Sequence, residues 1–525
     1  MTEIFAADQI GFPILSLLIV VPLLAAVMLQ WVQGAADQRR LALAAGGVEL
    51  ILAALLLVNF VPGSADMQFA ERALWLPGIG AGLHFGVDGI SVLFIPLTAL
   101  VILLAMISVR PEGNGRFFWT NVLLFQATTI GIFVSLDLVM FFVFWELILI
   151  PSFFLIRMWG TGPRRQAAAM KYVLYMLIGS APMLIAIVAL GANYGEAVAA
   201  GTAPAGGNFD LMSLQQVAVP AELQTMIFIL LLVAFAVKAP LPPFHTWLPN
   251  VVTEGPAGMA IFLVGLKLGT YGMLRFLLPL APEAALDFQP ILVWVGVAAA
   301  LYGGLIALAQ TNLRRLLAYA SVSHVGMVFA GLFTLNAAGL QGGLLAMLNM
   351  GITSTLLMFL AGGLYQRTGS SELSALGGIA RQAPRLAFFF FAIGLATIGM
   401  PGTSGFVGEF SILMGVFDYQ WQTGAVAVTG VILSAGYLLW YYERAFFGPI
   451  TSAAVRQMRD LNRRELVGVS AALALVIAIG VAPNTVISVT GGATNALAER
   501  LELVKASAVA AQVVDPSDPP RLALK

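Results

Sequence analysis

Apolar residues fall in runs of twenty or so along nearly the whole chain, and this pattern limits the fold more than any other feature. A helix needs about 20 such residues to cross the hydrocarbon layer of a bilayer. Only helices and closed barrels satisfy their own backbone groups there. About fourteen runs of that length can be counted. They lie near residues 11–30, 40–61, 90–109, 116–134, 136–157, 168–191, 222–249, 256–279, 290–309, 313–334, 340–365, 385–417, 425–447 and 466–489. Sixty per cent of residues are apolar and 10% charged, with mean hydropathy +0.93. That balance excludes an ordinary soluble domain. The predicted fold class is an all-α integral membrane protein.

Composition also narrows the chemistry. The chain has no cysteine, which removes disulfides, iron–sulfur clusters, zinc–thiolate sites and c-type haem. Its three histidines are His84, His245 and His324, and no two share a helical face. No cofactor or metal site is expected in this chain. Residues 1–9 are acidic rather than basic, and the first apolar run is too long for a signal peptide, so no cleavable signal is expected.

Two runs are interrupted. The seventh breaks at Ala239-Pro240-Leu241-Pro242-Pro243 and the twelfth at Gly399-Met400-Pro401-Gly402-Thr403-Ser404-Gly405. Proline removes a backbone donor and ends a helix, and irregular backbone survives at membrane depth only inside protein or along a wet cavity. The breaks lie five runs apart. That spacing predicts two five-helix repeats, near 116–279 and 290–447. An odd-numbered repeat inserts inverted relative to its partner. Residues 1–115 would then form three preceding helices, and 448–525 a final helix and tail. Proline and glycine also kink ordinary membrane helices. What favours a functional reading is the ionisable residue beside each break, Lys238 in the first and Glu409 in the second.

Connections after odd-numbered runs carry nearly all the arginines, among them Arg39, Arg40, Arg110, Arg116, Arg164, Arg165, Arg314, Arg315, Arg381 and Arg385. Connections after even-numbered runs hold Arg72 and Arg275. The positive-inside rule makes the odd connections cytoplasmic, or matrix-facing in an organelle. Both termini would lie on the opposite, periplasmic side. Residues 62–89 and 192–221 read as glycine- and alanine-rich outer loops, and 506–525 as a loosely ordered tail. Gly78-Ile79-Gly80-Ala81-Gly82 has the wrong spacing for a dinucleotide fingerprint.

Charges inside apolar runs are expensive and mark proton or ion pathways. Lys238 precedes the first break. Glu146 sits between Phe141–Trp145 and Leu147–Pro151, and Lys238 is its natural partner. Lys267 is flanked by Gly265 and Gly269, which leave room for water or a close helix. His324 titrates near neutrality and suits a relay. In chain order the candidate relay is Glu146, Lys238, Lys267, His324 and Glu409. Each has a plainer reading. Glu146 and Lys238 could form a structural ion pair, and His324 could be a satisfied core histidine. Lys267 lies too deep to reach the surface along its own stem. His245 could cap the broken helix or bind a free carbonyl there. Asp137 and Glu443-Arg444 read as interfacial, and Arg275 as paired or reaching outward.

Six segments carry a family resemblance: Phe144-Trp145-Glu146-Leu147; the block from Lys238 through Pro240, Pro242, Pro243, His245 and Trp247 to Pro249; Glu254-Gly255-Pro256; Lys267-Leu268-Gly269-Thr270-Tyr271-Gly272; Leu316 to His324; and Gly402 to Glu409. They resemble the antiporter-like proton-channel subunits of respiratory complex I. Within that family the chain is most similar to the branch with a glutamate after the second break, where sister subunits tend to carry lysine. The resemblance implies fourteen helices, among them two inverted five-helix repeats. It implies a coupling pair of Glu146 and Lys238, a connection through Lys267 and His324, and a terminal Glu409 facing the next subunit. It also implies membrane-arm partners on both flanks, including two antiporter-like sisters, within a bacterial inner membrane. FMN, iron–sulfur clusters and quinone would belong to partner subunits, and the redox drive with them. Multisubunit sodium/proton antiporters and membrane-bound hydrogenases share the glutamate–lysine–proline pattern and form the alternative. A structural subunit with vestigial charges is the third reading. Nothing suggests nucleic-acid binding.

Overall fold

The computed structural model describes residues 2–109, 111–256, 267–450 and 452–514. In chain order its main elements are β1 (Glu3–Phe5), α1 (Ile14–Met28), α2 (Ala35–Val58), β2 (Met67–Leu76), β3 (Ala81–Val87), α3 (Phe94–Ser108), α4 (Gly115–Val134), α5 (Leu138–Leu147), α6 (Leu149–Trp159), α7 (Arg165–Ala199), α8 (Ala221–Lys238), α9 (Trp247–Glu254), α10 (Leu268–Gly272), α11 (Pro282–Leu308), α12 (Leu313–Phe333), α13 (Ala337–Thr368), α14 (Pro384–Thr397), α15 (Ser404–Tyr419), α16 (Trp421–Phe446), α17 (Arg463–Val481) and α18 (Asn484–Val514). Among the described residues, ten helices are long and apolar enough to cross a membrane, counting α5 and α6 as one. Three shorter apolar helices, α1, α3 and α14, accompany them. The start of the expected eighth run, 257–266, lies outside the described residues.

Polar residues at the helix starts fix where the spans begin. The side chains of Asn114, Asp137, Asn312 and Asn336 accept backbone N–H groups at the starts of α4, α5, α12 and α13. Asn462 and Glu465 form a reciprocal capping box on α17. These caps satisfy donors that the first helical turn leaves free. Asp137 is therefore a buried cap, and it also accepts the N–H of Gly82 at 3.1 Å.

Helices α12 and α13 are buried along nearly their whole length and form the centre of the bundle. Backbone meets backbone where α11 crosses α12: a Cβ on Gly326 would strike the chain at Ala300, and one on Gly303 would strike Ser323. This close approach fixes the rotation of α12, and with it the direction in which Ser321 and His324 point.

Two segments depart from the expectation. Residues 62–89 are not a plain loop. They contain the hairpin β2–β3, with β1 added in parallel to β2. The glycines that read as loop composition serve a tight turn, Pro77-Gly78-Ile79-Gly80, in which Gly80 has φ +75°, a region that disfavours other residues. At the C-terminal end α17 stops at Val481, and Pro483 is followed by a second helix, α18. The single final helix and loose tail are therefore replaced, as far as Val514, by two helices. Glu499, Arg500, Glu502 and Lys505 make α18 too polar to register as a span. It lies against α13 and α11, and Arg500 donates to the side chain of Gln215 at 2.5 Å.

Candidate functional site

Both breaks form as the prolines and glycines require. Helix α8 ends at Lys238, and the chain resumes at α9 after Pro240, Pro242 and Pro243. The carbonyl of Val237, freed by the break, accepts the Trp247 indole N–H at 2.9 Å. Trp247 thus takes the role that His245 was expected to fill. His245 Nε2 instead lies 3.3 Å from the Tyr302 hydroxyl. The second break separates α14 from α15 through Gly399 (φ +72°) and Gly402 (φ +88°).

The first cluster gathers where α5, α7 and α8 meet. Lys238 Nζ donates to the Trp145 carbonyl at 3.2 Å and stands 3.8 Å from the centre of that indole ring. A cation over an indole face gains up to about 2 kcal/mol when water is excluded. Glu146 follows Trp145 directly, faces the Ser180 hydroxyl and interacts electrostatically with Lys238. Its Oε1 is buried with no hydrogen-bond partner among the described residues. The acid and the amine are thus neighbours held slightly apart, with Trp145 as the lysine's immediate support.

The second cluster is a string of polar contacts. Lys267, 7% exposed, donates from Nζ to Ser321 Oγ at 2.7 Å. Ser321 and His324 are three residues apart on α12 and so lie on one face. His324 Nδ1 is 3.2 Å from Glu409 Oε1, and its Nε2 is 3.2 Å from the Tyr437 hydroxyl. The other carboxylate oxygen of Glu409 lies against Gly399, where any Cβ would overlap it. Gly399 is therefore required both by its positive φ and by the carboxylate beside it.

The two clusters approach at one place. Gly269 on α10 packs against Ala239 N and Phe235 O at the end of α8, which puts Lys238 and Lys267 on either side of that contact. Ser180, Ser321 and Tyr437 had no assigned role in the sequence reading. Ser321 could have been found from its three-residue spacing to His324. Tyr437, 113 residues from that histidine, leaves no local signal. Glu49 on α2, a buried acid in an apolar run, carried the same signal as Glu146 and was passed over. Arg275 is not reaching outward: it forms a buried two-pronged pair with Asp88.

A further cluster lies outside the spans, at the hairpin. His84 on β3 is 2.5 Å from Asp210 Oδ1 through Nδ1 and 3.2 Å from Glu3 Oε1 through Nε2, and Arg72 also pairs with Glu3. Burial disfavours the His84 cation. The hydrogen bonds to Asp210 and Glu3 outweigh burial and hold its pKa above the ordinary value. Asp210 and Glu3 are likewise opposed by burial yet held below the carboxylate range by His84 and Arg72.

Residues 135–434, which contain all five candidate relay positions, match the family described as NADH:quinone oxidoreductase/Mrp antiporter, TM. The chain belongs to this family. "NADH-quinone oxidoreductase subunit M" of Rhodobacter capsulatus is 37% identical over 502 residues, covering 91% of this chain and 95% of that protein. The protein of the same name from Rickettsia prowazekii (strain Madrid E) is 35% identical over 440 residues, 83% of this chain and 87% of the other. Among solved structures, a chain of "Respiratory complex I from Thermus thermophilus with bound NADH" superposes with TM-score 0.84 at 32% identity, covering 93% of this chain and 99% of that one. A chain of the Mrp complex from Dietzia sp. DQ12-45-1b superposes at 0.78 with 23% identity, a likeness of fold.

Proposed function

We propose that this chain is a proton-translocating membrane-arm subunit of NADH:quinone oxidoreductase, with Glu146, Lys238, Lys267, His324 and Glu409 as its proton-carrying groups. One observation carries the reading most: the string Lys267–Ser321, then His324–Glu409, joins three titratable side chains across three helices inside the bundle. A buried string of that kind is more than helix packing needs, since hydrophobic residues would fill the space without desolvating charge. Lysine can give up its proton when its surroundings change, and serine can accept or donate a hydrogen bond.

The Glu146–Lys238 cluster is the control point in this reading. When the two groups separate, the lysine loses its counter-charge and hands its proton toward Lys267. The drive comes from partner subunits that carry FMN, iron–sulfur clusters and quinone. The two halves, 116–279 and 290–447, act as inverted repeats with one broken helix each. Both termini face the periplasm of a bacterial inner membrane, and antiporter-like sisters sit on both flanks. The exposed apolar tip of the hairpin, Leu74, Trp75, Leu76 and Ile79, suits a protein neighbour outside the lipid. A sodium/proton antiporter reading rests on the family's inclusion of Mrp antiporters and on likeness of fold at 23% identity, less than the 35–37% identity to the complex I relatives.

Purification of the chain in its native complex tests the assignment. Flavin and iron–sulfur partners are expected, and their absence overturns it. In assembled membranes, Glu146→Gln should abolish NADH-driven proton uptake while Glu146→Asp keeps part of it, because Gln fills the space but cannot ionise. Equal pumping by Gln and wild type would make the pair structural.

A further inference from the structure

Glu49 sits eleven residues past Gln38 on α2 and is fully buried. Both of its carboxyl oxygens lack a hydrogen-bond partner among the described residues. Gln126, eleven residues past Gly115 on α4, is in the same condition: fully buried, with neither Oε1 nor Nε2 bonded. The helices that carry these two orphans give them corresponding positions. Both helices start on the arginine-rich side and run in parallel. At that end Gln38 Oε1 lies 3.7 Å from where a Cβ on Gly115 would be. Eleven residues are three turns of helix to within about 20°, and a rise of about 16 Å. Glu49 therefore repeats the face and level of Gln38, and Gln126 repeats those of Gly115.

Among the described residues, the helices packed on α2 bring no counter-charge to Glu49. The helices packed on α2 are α1, α3 and α4. Neither α1 nor α3 carries an Asp, Glu, His, Lys or Arg, and α4 carries only Arg116 at its first turn. The charged residues of α2 itself, Asp37, Arg39 and Arg40, lie at the same arginine-rich end. An ionised carboxylate in such a place is costly without a partner.

We propose that Glu49 and Gln126 form a proton-binding site, separate from the relay, in which a neutral carboxylic acid pairs with a primary amide. The acid O–H donates to Gln126 Oε1, and Gln126 Nε2–H donates to the acid carbonyl. One proton thus gives a partner to all four orphaned atoms. A carboxylate would leave Gln126 Oε1 without a donor. A bare metal cation would find three side-chain oxygens and leave the amide nitrogen unused. The bound proton is resident: it ties α2 to α4, the helix that leads through Asp137 into α5 and Glu146.

The same substitution then has opposite results at two buried acids. Glu49→Gln replaces a neutral acid by its isostere and should leave proton pumping by the assembled complex within about twofold of wild type, whereas Glu146→Gln stops it. The infrared difference between purified wild-type and Glu49→Gln complexes should show loss of a neutral-acid carbonyl band, and Gln126→Leu should shift that band. Loss of a carboxylate band instead, a carbonyl band indifferent to Gln126→Leu, or abolished pumping in assembled Glu49→Gln overturns the proposal. Should Glu49→Gln fail to assemble, the exchanged pair Glu49→Gln with Gln126→Glu decides. It contains the same acid and amide, so recovery supports the site and failure overturns it.

Discussion

Ser321→Ala removes one oxygen from the middle of the polar string and little else. In the wild type that oxygen accepts from Lys267 Nζ at 2.7 Å, with the lysine only 7% exposed. A hydrogen bond to a buried charged group is worth about 1.5–3 kcal/mol. Taking about 2 kcal/mol, the buried Lys267 ammonium becomes roughly 30-fold less favourable without the hydroxyl. The hydroxyl matters in the other protonation state too, because it can turn and donate to a neutral amine. Alanine can do neither. NADH-driven proton uptake in vesicles should therefore fall by roughly an order of magnitude, with assembly on native gels unchanged. Ser321→Thr, which keeps the hydroxyl, should recover a large part of the rate. Full pumping by assembled Ser321→Ala would refute the string as a path, as would a threonine variant as poor as alanine.

Three further outcomes follow from the same geometry. Lys238→Ala should abolish pumping in assembled membranes, and Lys238→Arg should also lose most of it, because a guanidinium does not release its proton at accessible pH; normal proton uptake by either contradicts the role. Gly399→Ala forces a residue with φ +72° to carry a Cβ, costing about 1–2 kcal/mol, and it pushes Glu409 off His324; pumping should drop well below wild type, and unchanged proton uptake would show that the contact is dispensable. At the hairpin, the raised pKa of His84 contributes stability that is fully present below its unfolded value and fades as pH rises through the folded one, while the lowered Asp210 and Glu3 contribute stability lost as pH falls through theirs. Protease resistance of the hairpin should thus peak between those limits, and His84→Gln should weaken the hairpin by about 2 kcal/mol and remove the alkaline limb; a flat profile in the wild type would contradict the charge pattern.

The candidate relay residues were legible because each breaks the rule of its surroundings. Lys238 among aliphatics and Pro240 to Pro243 in a spanning run are costly choices, and cost marks function in a membrane. What the sequence could not show was pairing at a distance. Arg275 meets Asp88 across 187 positions and His84 meets Asp210 across 126, with no periodic pattern joining them. The hairpin was hidden because Gly78, Gly80 and Gly82 look like loop composition whether they build a turn or a tether. Helix α18 was hidden for the opposite reason: Glu499, Arg500, Glu502 and Lys505 interrupt its apolar residues, so hydropathy does not count it. Glu49 lies far from either break, and what marks it is the lack of a partner, which only the packing of α2 reveals.

The string from Lys267 to Glu409 is held by contacts between neighbouring segments, Lys267 to Ser321 and His324 to Glu409, and moves along a helix only in the three-residue step from Ser321 to His324, a rise of about 4.5 Å. A proton passed along it crosses only a small part of the transmembrane voltage. The electrical work, about 2.3 kcal/mol per charge per 100 mV, falls on the short legs that join the ends of the string to water on each side. The interior can therefore be nearly level in energy, and directionality has to be imposed where those legs open and close.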